Sequence, residues 1–355
     1  MFSITYIFFF IALIYFISSF FIESYRRLIL TYRIFGRRKK RDFETAAPIP
    51  NSCGIVFLFI LILSSFLINP FIPNDELLNL IIGSSVICIS GFWDDLKELN
   101  PYQKLLYQLI AVSFVVYYNE LYITNLHGFI GIGIMPFWSG FLFTCFIGIF
   151  MINAFNLIDG IDGLAGFSSI ISFASFAILF WILNFKGYFG ISILMIGLVL
   201  GYLPYNFNKV KKVFMGDSGS MLIGYILFVM TMLVINNNEP IIDRLIDRTI
   251  VPIAPMVIFI IPMIDTFSVY TNRLIKGGSP FSADRSHVHH IILSRTNSHL
   301  LTSLFMSALS LILLVIFSML AFRLSAVSFI CIFFVTFFVL VLLIGYFRKN
   351  TKSLI

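Results

Sequence analysis

Four short polar stretches interrupt a chain otherwise rich in Phe, Ile and Leu, and they hold the side chains able to do chemistry. The first, GFWDDLKELNPYQK, sets Asp94 and Asp95 side by side. Neighbours on a helix point about 100° apart, so two adjacent carboxylates share one ligand only where the helix ends; otherwise they serve different ligands. In the second, NAFNLIDGIDGLAG, Asn153, Asn156, Asp159 and Asp162 recur at every third residue and are expected to stack along one face of a helical turn. Gly160, Gly163 and Gly166 keep the same period, which leaves the backbone open to a close ligand. A small-residue helix contact would explain the glycines but not the acids.

The third stretch, YNFNKVKKVFMGDSGS, places Asp217 between Gly216 and Ser218, downstream of Lys209, Lys211 and Lys212. A carboxylate at a helix start is commonly a cap. Under a basic segment it also suits a hard cation that bridges phosphates, although the Walker spacing of a P-loop is missing. The fourth, GGSPFSADRSHVHHIIL, groups His287, His289 and His290 with Asp284 and Arg285. Two alternating imidazoles without cysteines or an HExxH pattern are a weak zinc signal, and histidines also hydrogen-bond phosphate. The planar fork of Arg285 fits the same anion, and Arg273 and Lys276 add charge. His127 and His299 stand apart from the acids and receive no role.

Five acids (Asp94, Asp95, Asp159, Asp162 and Asp217), several amides and a rim of Arg and His make up this inventory. No Ser-His-Asp order, reactive Cys or dinucleotide fingerprint accompanies them. Carboxylates that hold a metal, with cations that stabilise charge on a transferring group, are the arrangement for Mg²⁺-assisted transfer at phosphorus. A transporter of an anionic substrate is the rival reading. It would place ionisable residues near mid-bilayer and often within internal repeats; here the acids fall at the ends of apolar windows and no repeat is visible.

The elements that must position these residues follow from composition. With 355 residues, 59% hydrophobic content, 43 Phe and 12% charged residues, the chain is too apolar for a water-soluble domain and is predicted to be an all-α integral membrane protein. About eleven apolar windows are long enough to cross a bilayer as helices. They comprise the amino-terminal stretch and windows near 54–70, 77–93, 104–118, 139–156, 166–184, 188–205, 219–235, 249–270, 301–321 and 325–347. No room is left for a soluble domain, so 1–355 reads as one transmembrane bundle. The first window lacks a preceding positive residue and a following cleavage pattern, so it reads as a retained span rather than a signal peptide.

One set of alternate loops carries twenty of the 24 Lys and Arg, including the run from Arg37 to Arg41. The opposite set has only Lys186, Arg244, Arg248 and Arg323. Positive loops stay cytoplasmic, which predicts the amino terminus outside, the carboxyl terminus inside and all four polar stretches on the cytoplasmic face. The net charge of +7 lies in short loops, which points to anionic headgroups or a phosphorylated substrate and away from nucleic acid. Cys53, Cys88, Cys145 and Cys331 have no CxxC spacing, so neither a disulfide framework nor a thiolate zinc site is expected.

Together, DDLKELNPYQK, NAFNLIDGIDGLAG, PYNFN with VFMGDSGS, and SPFSADRSHVHH resemble the polyprenyl-phosphate N-acetylhexosamine-1-phosphate transferases, in the same order, over 48–293. The last motif is more similar to the N-acetylglucosamine-1-phosphate branch than to the muramoyl-pentapeptide branch. The resemblance implies transfer of a sugar 1-phosphate, N-acetylglucosamine first, from a UDP-sugar to undecaprenyl phosphate in the bacterial inner membrane, with UMP as the second product and a cell-surface polysaccharide downstream. N-acetylfucosamine, N-acetylquinovosamine and the muramoyl pentapeptide are alternative sugars, and a homodimer is compatible with it.

By the same resemblance Asp217 would be the main Mg²⁺ ligand, with Mn²⁺ as an alternative ion and Asn156 beside it. Asp94 would deprotonate or orient the lipid phosphate, supported by Asp95. Asp159 and Asp162 would line the nucleotide site, Phe214 would stack on uracil, and Lys104 and Asn206 would contact substrate. Arg285, His287, His289 and His290 would hold the donor diphosphate or recognise the sugar. One departure is visible: RRKKRDFETAAPIPNSCGI keeps the family's basic run, Pro50 and Gly54, but has Thr45 at the place of a His and Cys53 at that of a Gly.

Overall fold

A computed structural model of the chain describes residues 4–34, 49–237, 241, 245–275, 277 and 287–351. Helices α1 (Ile4–Tyr32), α2 (Gly54–Ile68), α3 (Asn74–Lys97) and α4 (Pro101–Tyr118) precede two short antiparallel strands, β1 (Asn125–Phe129) and β2 (Ile132–Ile134). Helices α5 (Phe137–Ile158), α6 (Leu164–Ile182), α7 (Lys186–Phe207) and α8 (Gly216–Ile235) follow. The chain continues through α9 (Ile253–Ile258), α10 (Ile260–Ile275), α11 (Val288–Thr296), α12 (His299–Ala321) and α13 (Ala326–Thr351).

Among the described residues, nine helices are long and apolar enough to cross a membrane: α1 to α3, α5 to α8, α12 and α13. The other two windows expected as spans are helical but differ from that set. The window 104–118 lies in α4, whose first turns carry Gln103, Lys104 and Gln108. The window 249–270 is not one continuous helix. It divides into a 3₁₀ turn at Arg248–Ile250, then α9, then α10, with a break at Phe259. Pro252 and Pro255 open α9 and Pro262 lies in the first turn of α10, where a missing N–H costs least.

The strands are a second departure from a purely helical expectation. Gly131 N–H donates to Gly128 O at 2.9 Å, and both glycines have positive φ, which lets the chain fold back as a hairpin. His127, in this hairpin, accepts a bond from the Thr249 hydroxyl through its carbonyl.

The apolar length of α8 is almost wholly buried, against α2, α3 and α5. Lipid gives apolar helices no hydrophobic reason to pair, so close backbone approach at small residues holds such bundles together. Gly54 and Gly91 provide that approach, both facing the first turn of α8. A Cβ on Gly91 would fall 2.6 Å from the Ser218 Cα. Gly91→Ala is therefore expected to destabilise the protein by about 1–3 kcal/mol, read as a lower melting temperature in detergent; an unchanged temperature would contradict this packing. On the flank, Ser18 of α1 donates to Leu198 O of α7 at 3.0 Å. The outer helices α1, α12 and α13 leave Phe8, Phe16, Phe20, Leu311 and Leu342 exposed, an apolar surface suited to lipid.

Candidate active site

Helix α3 stops just past its two acids, where Glu98 adopts φ 49 and its N–H bonds to Asp94 O at 2.9 Å. The chain turns back at once, because Asn100 and Gln103 form a capping box and Pro101 supplies a preformed first turn for α4. Lys104, one turn in, consequently returns to the end of α3. Its Nζ lies 3.2 Å from Asp94 Oδ2, 3.2 Å from Asn156 Oδ1 and 2.8 Å from Asp217 Oδ2. Asn156 also donates through Nδ2 to Asp217 Oδ1 at 3.0 Å and to Ser220 Oγ at 2.9 Å. Three oxygens from α3, α5 and α8 thus enclose a single cation.

Asp95 has other partners. Its Oδ1 accepts Asp217 N–H at 2.9 Å, while Oδ2 accepts Ser218 N–H at 3.2 Å and the Ser52 hydroxyl at 2.7 Å. The first N–H groups of a helix lack intrahelical acceptors and carry partial positive charge, so this buried carboxylate caps α8, which has no side-chain cap of its own. The adjacent acids therefore serve different ligands. Gly216, at φ +73, leaves room for the contact, since a Cβ there would meet Asp95 Oδ2 at 2.5 Å. With the cap supplied by Asp95, the carboxylate of Asp217 is turned to Lys104 and Asn156. The segment before α2 braces this end: Phe214 N–H donates to Pro50 O at 2.9 Å and Cys53 N–H to Phe214 O at 3.4 Å. Ser52 was not expected from the sequence, where one serine between Asn51 and Cys53 carries no signal.

The expected single face of NAFNLIDGIDGLAG does not form, because α5 ends at Ile158 and Gly163, at φ +81, starts α6 in a new direction. Asn153 pairs with Gln108 at 2.7 Å, Asn156 with Asp217, and Asp159 is the C-cap residue of α5. Asp162 reaches Lys212 at 2.6 Å. The three glycines admit packing neighbours in place of an open backbone: His289 against Gly160, the Phe207 ring against Gly163 and Leu203 against Gly166. Asn206 is buried, accepting Gly163 N–H at 2.6 Å and donating to Val213 O at 3.4 Å. It joins the acidic turn to the segment before α8. The ammonium of Lys212 also lies 5.2 Å from the centre of the Phe214 ring.

His299, given no role from sequence, is part of this group. Its Nδ1 accepts Asp162 N–H at 3.1 Å and lies 3.4 Å from Asp162 Oδ2, while Ser303 Oγ donates to Asp162 O at 2.6 Å. No local pattern could announce a contact between residues 137 positions apart.

His287 and His289 meet a residue missing from the sequence inventory. Both Nδ1 atoms reach Asp265 Oδ2, at 3.3 and 2.8 Å, and Val288 N–H donates to Asp265 Oδ1 at 2.7 Å. Among the described residues these three side chains are also the one group of His, Cys, Asp and Glu close enough to hold a metal ion. The His290 ring lies 4.4 Å from that of His289. A signal existed for Asp265: an acid inside an apolar window is a functional candidate by default. Arg285, Asp284, Lys276, Thr45 and the run 37–41 lie outside the described residues. Asp94, Lys104, Asn156 and Asp217 thus form one cluster, Asp162, Lys212, Phe214 and His299 a second, and His289 packs against Gly160, two residues before Asp162.

A polytopic helical bundle whose helix ends gather carboxylates around a cation, beside further Lys and His, suits a membrane protein that handles anions. The glycosyl transferase family 4 profile matches residues 77–235. Over 269 residues the chain is 30% identical to the undecaprenyl-phosphate alpha-N-acetylglucosaminyl 1-phosphate transferase of Escherichia coli O157:H7, covering 73% of this chain and 67% of that one. The protein of the same name from strain K12 is 29% identical over the same length. The decaprenyl-phosphate N-acetylglucosaminephosphotransferase of Mycobacterium leprae is 28% identical over 284 residues, 74% of this chain and 70% of that one. The chain belongs to the polyprenyl-phosphate N-acetylhexosamine-1-phosphate transferase family that its motifs resemble, and is a sugar-phosphate transferase of the membrane.

Proposed function

We propose that the protein transfers N-acetylglucosamine 1-phosphate from UDP-N-acetylglucosamine to undecaprenyl phosphate, giving the lipid-linked sugar diphosphate and UMP, as the first membrane step of a cell-surface polysaccharide. The observation that carries this reading is the convergence of Asp94, Asn156 and Asp217 on one ammonium at the helix ends. Two anions that repel each other must meet here, and fixed charges aimed at them lower that barrier. The enclosing donors are all oxygen, the set that suits Mg²⁺, with Mn²⁺ next. Asp217 and Asn156 would hold the ion, which when bound neutralises phosphate oxygens.

Lys104 and Asp94 orient the lipid phosphate. One of its oxygens attacks the donor's β-phosphorus in line; the new P–O bond forms as the bond to the UMP oxygen breaks, and UMP keeps the electron pair. Asp159, Asp162 and Phe214 line the nucleotide side, with Asn206 and Asp95 holding the backbone beneath them. Arg285, His287, His289 and His290 are assigned to the donor's diphosphate and sugar, together with Lys212 and His299. In this reading α4 and the α9–α10 pair complete eleven spans, with the amino terminus outside and the site at the cytoplasmic face of the inner membrane. Purified protein given undecaprenyl phosphate, Mg²⁺ and a panel of UDP-sugars is expected to release UMP, fastest with UDP-N-acetylglucosamine, and to stop when EDTA is added. No release with any donor would sink the proposal and favour a transporter.

A further inference from the structure

We infer that Asp265 is a positioning residue for the donor, holding His289 so that its bare Nε2 accepts a hydrogen bond from a hydroxyl or amide N–H of the donor's sugar. This rests on the proposed function. A carboxylate only accepts hydrogen bonds, so both imidazoles that share Asp265 Oδ2 carry a hydrogen on Nδ1. That fixes their tautomer and sends Nε2 to the far side of each ring. Asp265 is itself braced: Ser268 Oγ donates to its carbonyl, and Arg348 of α13 grips Ser268 through O at 3.1 Å and Oγ at 3.2 Å.

His289 is 1% exposed, and its Nε2 is buried with no hydrogen-bond partner. A buried ring nitrogen left unpaired is costly, and such groups persist where function requires them. The atom is aimed at Gly160, the midpoint between the backbones of Asp159 and Ile161, and a Cβ on Gly160 would strike it. Glycine at 160 therefore lets the ring come up behind the acidic turn, beside the residues assigned to the donor. A hydroxyl or amide N–H of the donor's sugar that displaces this turn supplies the hydrogen that Nε2 lacks.

The test compares Asp265→Asn, His289→Asn and the double variant, measuring kcat and KM for UDP-N-acetylglucosamine and for undecaprenyl phosphate. Each single change is expected to raise the donor KM roughly tenfold, with the lipid KM unmoved. The double variant should fall well short of the product of the two single effects, because Asp265 acts mainly through that ring. Additive effects, or an equal rise in the lipid KM, would overturn the inference. A variant of a buried acid can lose its fold, so the imidazole ¹⁵N spectrum of the unaltered protein gives an independent reading. His287 and His289 should both carry hydrogen on Nδ1, and a His289 ring protonated only at Nε2 would overturn the contact. Absence of turnover by the unaltered protein with every UDP-sugar is a separate result: it overturns the proposed function, and the donor role of His289 with it, while the spectrum still reports on Asp265.

Discussion

Asp217→Asn is expected to reduce UMP release by on the order of 10³-fold, the loss typical when one fixed electrostatic partner of a transition state is removed, while the protein stays folded in detergent. The two halves of that expectation have separate causes. Activity falls because the carboxylate facing Lys104 and Asn156 becomes a neutral amide, so the pocket of oxygens loses the charge that would hold a divalent ion. The fold survives because α8 is capped by Asp95 through backbone N–H groups, which the substitution leaves in place. Turnover close to that of the unaltered protein would remove Asp217 from the proposed metal site. Loss of the folded peak on size exclusion would contradict the assignment of the cap to Asp95.

Asp95→Ala should give the opposite pattern. This buried carboxylate accepts two helix-terminal N–H groups and one hydroxyl, and without it all three donors are left in the interior. Breaking a buried, charge-assisted arrangement costs on the order of 3–5 kcal/mol, a large share of the 5–15 kcal/mol of net stability usual for a folded protein. The variant is expected to express poorly and melt far below the parent. Asp94→Asn, one residue away, should retain the fold and lose turnover. Equal melting temperatures for Asp95→Ala and Asp94→Asn would refute the division between the two acids.

That division shows where sequence reading stops. The clusters themselves are legible, because acids at the ends of apolar windows are too costly to be incidental and their types define a chemistry. Which of two adjacent acids points at the cation depends on which helix start arrives beside α3, and the Asp217 amide of that start lies 122 residues after Asp95. Asn206 is equally illegible: a polar residue in a motif suggests substrate, yet both ends of its amide bond to backbone. His299 joins Asp162 through tertiary structure alone. Asp265 is the reverse case, a single acid among PMIDTF that the rule for intramembrane charge marks out, but whose partners lie 22 and 24 residues further on. The break at Phe259 and the hairpin at Asn125–Ile134 escape a hydropathy window because averaging over a span's length hides a change of direction within it.

The capping of α8 by a side chain of α3 also has a meaning for biogenesis. During synthesis α3 reaches the bilayer first, and Asp95 must wait through more than a hundred further residues before the backbone amides that satisfy it emerge from the ribosome. Until then the growing polypeptide can offer that carboxyl the Ser52 hydroxyl but neither of the two helix-terminal amides. Completion of α8 therefore delivers both amides together and joins the two helix ends in one event.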